Sequence, residues 1–147
     1  MRVLLNILLI GLSGGLLRGI SAQLPAAAPG LSAAERLVEQ QIAAWNSHDA
    51  AAFAACYATD TTRLFRFPNQ PLATFSSRAE VQAYYGRLFQ RNPAIHCEVR
   101  GRVAAGQSVV VHEVITGAAN GEAWQTLAYY QLEHDKIVRV YFDRYPR

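Results

Sequence analysis

Four histidines and eleven acidic residues are the groups with which this chain could move a proton near neutral pH. His112 stands out among them. It falls in V-V-V-H-E-V-I-T (Val109 to Thr116), and alternation puts it on one face with Val110 and Val114. An imidazole on an apolar face titrates within reach of neutral pH, so His112 is the candidate catalytic base. The other reading is a core histidine bonded to Tyr85 or Gln41. Glu113, next to it, is expected on the opposite face as a cross-strand ion-pair partner. Gln41 could hold a ligand oxygen, because an amide both donates and accepts, or it could simply pack. Tyr57 and Tyr85 suit a pocket wall with one polar end, Tyr130 suits the mouth, and Trp45 and Phe65 supply apolar wall.

Other chemistries lack their residues. Asp49 has a helix-capping position, Asp60 ends a helix and Asp143 points outward by alternation, so these carboxylates form no acid–base pair. His96 and Glu98 lack a third ligand at metal spacing. A Ser-His-Asp arrangement, a Gly-rich phosphate loop and a Cys-x-x-Cys motif are all missing. Neither a metal nor a cofactor is expected. Cys56 and Cys97 fall on apolar faces, and both a disulfide and two buried thiols remain open.

The elements that must hold these residues are legible. Ser32-Ala33-Ala34-Glu35 and Ser77-Arg78-Ala79-Glu80 are capping boxes, and each starts a helix. The first helix carries Leu37, Gln41, Ala44, Trp45 and His48 in one stripe and ends near Asn46. Asp49 caps a short helix over 50–58, and a strand follows. The helix from Ser77 runs to about Gln90, where Asn92-Pro93 stops it. The periodicity then changes to two, with turns at 105–107, at Asn120-Gly121 and at His134-Asp135. The fold class is α+β, a curved antiparallel sheet packed against three N-terminal helices. Val109, Val111, Ile115, Leu127, Tyr129 and Tyr141 make the opposite sheet face too apolar for water, which points to a homodimer through the sheet.

The first residues read differently. Met1-Arg2, the apolar run Val3 to Leu12 and the small residues ending at Ala22 form a secretory leader over 1–22, with a linker over 23–30 and one domain over 31–147. The protein is therefore expected to be secreted or periplasmic. A retained anchor is the second reading, but Arg18 interrupts any stable membrane span. Arg2 and Arg18 fall in this leader, which leaves 12 basic against 11 acidic residues. That balance asks for no nucleic acid.

Four stretches, I-A-A-W-N-S-H-D (42–49), Arg78 to Val99, V-V-V-H-E-V-I-T-G (109–117) and D-K-I-V-R-V-Y-F (135–142), resemble the nuclear transport factor 2-like superfamily. In particular they resemble its SnoaL-like and ketosteroid-isomerase-like bacterial branch. The resemblance implies a cone of curved sheet and three helices, often dimeric, with a pocket inside. Steroid isomerases of this fold use a tyrosine, an aspartate base and a protonated aspartic acid; the resemblance puts Gln41, Phe65 and Ala128 at those positions. All three roles are vacant, so steroid isomerase chemistry is not expected. What remains is a cup for a small apolar molecule. Either it is an isomerase- or lyase-like enzyme that moves a proton or water, or it is a non-catalytic dimeric binding module.

Overall fold

A computed structural model describes residues 30–60, 62–66 and 69–146. The leader lies outside the described residues, and so does all of the linker but Gly30.

Helix α1 (Ala33–Asn46) begins where its capping box predicts: the Ser32 hydroxyl accepts from the Glu35 N–H, and the Glu35 carboxylate accepts from the Ser32 N–H at 2.9 Å. Helix α2 (Ala50–Ala55) begins at Asp49, whose carboxylate accepts from the N–H groups of Ala51 and Ala52. It stops short of Ala58 because Tyr57 leaves the helix to bridge Ile137. His48 turns the corner between α1 and α2 at φ 55°, and its ring reaches the Ile95 carbonyl at 2.9 Å. Helix α3 (Arg78–Arg91) is capped by Ser77.

The strands are β1 (Thr62–Arg66), β2 (Gln70–Phe75), β3 (His96–Ala105), β4 (Ser108–Thr116), β5 (Trp124–Glu133) and β6 (Lys136–Pro146). They form one curved, unclosed sheet in the order β2-β1-β6-β5-β4-β3. The meander from β3 to β6 is antiparallel, as its periodicity and turns predict. His134 and Asp135 close the β5–β6 hairpin at φ 49° and 57°, the mirror-image turn that matches strand twist. The sheet differs from the expected one in two ways. A β1–β2 hairpin stands where the pattern showed a single strand, and β1 joins β6 in parallel, so the sheet is mixed. Pairing between strands more than seventy residues apart leaves no local signature. Helix α3 follows the β1–β2 hairpin and precedes β3, in keeping with the expected order of strand and then capped helix.

Register shifts at Leu64/Phe65, Val99/Gly101 and Gln131/Leu132 bend the strands and curl the sheet. The shift in β3 also reverses its faces. Val103, expected with Cys97 and Val99, is 72% exposed, while Arg102 turns inward to pair with Glu39 of α1. The helices fill the concave side, with Val38, Phe53, Val81 and Phe89 buried there. Asn46 locks α1 to the sheet, donating to the Cys97 carbonyl at 2.9 Å and accepting from the Cys97 N–H at 2.8 Å. One side chain thus continues the strand ladder into the helix layer. No helix among the described residues is long and apolar enough to cross a membrane.

Candidate active site

Strand pairing decides which side chains face the helices. Thr126, Ala128 and Tyr130 of β5 are buried, and they pair with Glu113, Val111 and Val109 of β4. The concave face of β4 therefore carries Val109, Val111, Glu113 and Ile115, and Glu113 is only 4% exposed. His112 is on the convex face, where its Nε2 meets Gln125 Oε1 at 2.9 Å beside Leu127 and Tyr145. This reverses the expectation for both residues. The physical reason is that β4 is apolar on both faces, with Val110 and Val114 on one and Val109, Val111 and Ile115 on the other. Alternation thus gives a period without a direction. The larger apolar set, Val109, Val111 and Ile115, takes the buried face.

Between sheet and helices lies a cavity of about 250 Å³. Gln41 and Trp45 of α1, Phe53 of α2 and Tyr85 of α3 form one wall, and Leu64, Ile115, Phe142 and Tyr130 belong to the other. Glu113 opens into this space. The Tyr130 hydroxyl donates to Glu113 Oε1 at 2.7 Å and lies a long 3.4 Å from Gln41 Oε1. Gln41 Nε2 lies 3.4 Å from the Tyr57 hydroxyl. The four side chains form a chain running from the sheet through α1 to the end of α2, and all four are buried.

Burial dominates the electrostatics. Loss of water around Glu113 favours its neutral form and pushes its pKa up to about 7; the Tyr130 hydrogen bond opposes this by favouring the anion. Burial also raises the Tyr57, Tyr85 and Tyr130 phenols and the Cys97 thiol, with the nearby Glu113 charge adding to each. The tyrosines therefore serve as neutral donors. Two lining residues each bury a polar group without a hydrogen-bond partner among the described residues: the indole N–H of Trp45 and the hydroxyl of Thr126.

Of the predicted site residues, Gln41, Trp45, Tyr85 and Tyr130 line this cavity. Tyr130 is deep rather than at the mouth, only 2% exposed. Tyr57 stands behind the lining and reaches it through Gln41. Phe65 does not line it: Leu64 and Arg66 do, while Phe65 lies on the convex side, stacked on Tyr141 at 4.8 Å. Leu64 and Arg66 pair in unbroken register with Val140 and Phe142 of β6, so Phe65 between them alternates to the convex side, a direction that a strand pattern of five residues cannot show. Ala128 is fully buried on the concave face, so that position supplies no acid. Cys56 and Cys97 are both free and buried. No group of three or more His, Cys, Asp or Glu that could hold a metal occurs among the described residues.

A curved open sheet over three helices, enclosing a cavity, defines the nuclear transport factor 2-like class of α+β cones. Within that class, the SnoaL-like domain family matches residues 38–140, and the chain belongs to it. Solved structures agree on the fold. An uncharacterized cystatin-fold protein from Novosphingobium aromaticivorans matches at TM-score 0.66 and 24% identity, covering 77% of this chain and 98% of its own. A SnoaL-like protein of unknown function from Burkholderia thailandensis matches at TM-score 0.60 and 22% identity, covering 77% and 94%. A protein with a ketosteroid isomerase-like fold from Catenulispora acidiphila, in complex with trimethylamine, matches at TM-score 0.60 and 18% identity, covering 72% and 82%. No curated protein matches the chain.

Proposed function

We propose that the cavity binds a small, largely apolar molecule and that Glu113 transfers a proton to or from it. One observation carries this reading. A buried carboxyl with a pKa of about 7 opens into an apolar cavity. A general base works best when its pKa is near the working pH, because it is then ionised often enough and still basic enough. In its ionised form Glu113 takes a proton from a carbon or oxygen of the ligand. Negative charge then develops on a ligand oxygen, and the unpartnered groups on lining residues that could donate to it are the N–H of Trp45 and the hydroxyl of Thr126. In its neutral form Glu113 can return the proton to a neighbouring atom. Tyr130 fits both states, donating to Glu113 when it is ionised and to Gln41 when it is not.

The test is ring opening of nitrobenzisoxazole, a small apolar compound that needs only removal of one C–H proton. The rate is expected to rise with pH through an apparent pKa near 7 and to fall on the order of a hundred-fold in Glu113→Gln. Equal rates in the two proteins sink the proton-transfer reading and leave a non-catalytic binding module. That second reading is favoured by Gln41 and the fully buried Ala128, which leave two steroid isomerase roles vacant.

Apolar side chains on the convex face support a homodimer through the sheet. They are Leu127, Tyr129 and Tyr141, with Val110 beside them in place of the inward Val109, Val111 and Ile115.

A further inference from the structure

Resting on the reading that this cavity binds a small molecule, we infer that its ligand is an amphipathic carboxylate. The apolar body lies against Trp45, Phe53 and Phe142, and the acid group lies at the mouth between Arg66 and Arg144.

The unpartnered polar groups on the lining residues can all donate, and one of them can do nothing else. An indole N–H can only donate, and that of Trp45 is buried without a partner among the described residues. The Thr126 hydroxyl is also unpartnered, on a residue 3% exposed. Three lining residues carry charge: Glu113, Arg66 and Arg144. Glu113 already accepts from Tyr130. Arg66 makes no ion pair or hydrogen bond among the described residues, although it lines the cavity. The Trp45 N–H and the Arg66 guanidinium in this set can be satisfied only by acceptors, and the guanidinium at the mouth best by an anion.

Strand register orders these groups. Glu113 pairs with Thr126 across β4–β5, and Thr126 pairs with Arg144 across β5–β6. The three side chains form one row on the concave face, carboxyl, hydroxyl, guanidinium, spanning roughly 10 Å over two strand spacings. Arg66 pairs with Phe142, one inward position before Arg144. The row separates an acid–base group deep in the cavity from a cationic rim, with one orphan hydroxyl between. Arg144 is held at the rim in the meantime: it lies 4.0 Å over the Trp124 ring and 3.0 Å from the Glu122 carboxylate. That ion pair is exposed and weak, so a carboxylate arriving from the cavity side can replace it. A planar guanidinium receives such an anion through two parallel hydrogen bonds. At about 250 Å³ the cavity is small and takes a single ring or a medium chain.

Calorimetric titration of the intact protein with matched probes tests this. Phenylbutanoate, phenylbutanamide and phenylbutylamine form one series; octanoate, octanamide and octylamine form another. Each acid is expected to bind on the order of ten-fold or more tightly than its amide, and the amines weakest. In Arg66→Gln/Arg144→Gln the acid-to-amide ratio falls to about one. Glu122→Gln, which frees Arg144, raises it. Equal binding of acid and amide in both series overturns the carboxylate assignment and leaves the cavity reading standing. A ratio that survives loss of both arginines overturns the rim as its source. Failure of all six probes to bind overturns the cavity reading and this inference together.

Discussion

His112 and Glu113 are adjacent in the chain and opposite in environment. His112 lies half-buried on the convex face against Gln125, while Glu113 lies on the concave face with its carboxyl bonded to Tyr130. By intrinsic pKa the histidine is the residue suited to proton transfer at neutral pH and the glutamate is not. The fold brings the glutamate into that range, because burial in the cavity moves its carboxyl to about 7. Ionisation of the carboxyl at this strand follows from which face water can reach, more than from residue type.

The largest effect that can break the comparison is catalytic. Glu113→Gln is expected to lose on the order of a hundred-fold in nitrobenzisoxazole ring opening, and His112→Gln to lose almost nothing. A reversed order would return the histidine to the role its sequence position implied.

The second effect is on stability. The folded carboxyl holds its proton up to about pH 7, whereas the unfolded one releases it near 4.5. Between those values the native state binds more protons than the unfolded state, so stability falls as pH rises. The cost is absent below pH 4.5 and complete above pH 7, amounting to roughly 3 kcal/mol. Urea unfolding of the wild type and Glu113→Gln from pH 4 to 8 isolates this, since other titrating groups cancel in the difference. The difference is expected to grow in favour of Glu113→Gln between about pH 4.5 and 7 and then level off; a difference independent of pH would mean that Glu113 ionises normally.

A smaller effect sharpens the comparison. Tyr130→Phe removes a donor that favours the ionised carboxyl, so the Glu113 pKa should rise further above 7. The midpoint of the pH–rate profile reads this directly, and a midpoint moving down would assign Tyr130 a different role. The smallest effect on the cavity belongs to the convex face. Leu127→Glu should convert a dimer to a monomer in sedimentation, with ring opening unchanged. An unaltered sedimentation coefficient would move the interface elsewhere.

Much of this molecule follows from its sequence alone. The caps at Ser32, Asp49 and Ser77, the stripe carrying Gln41 and Trp45, and the turn at His134-Asp135 are local devices, written in residues a few positions apart. They determine three helices, an antiparallel meander and the wall residues Gln41, Trp45, Tyr85 and Tyr130. Tertiary structure alone decided the direction of β4, the parallel pairing of β1 with β6, and the side on which Phe65 falls. Where both faces of a strand are apolar, or a bulge shifts its register, the period survives and its sense does not. Only the partner strand breaks that symmetry, and here it turned Glu113 inward and His112 out.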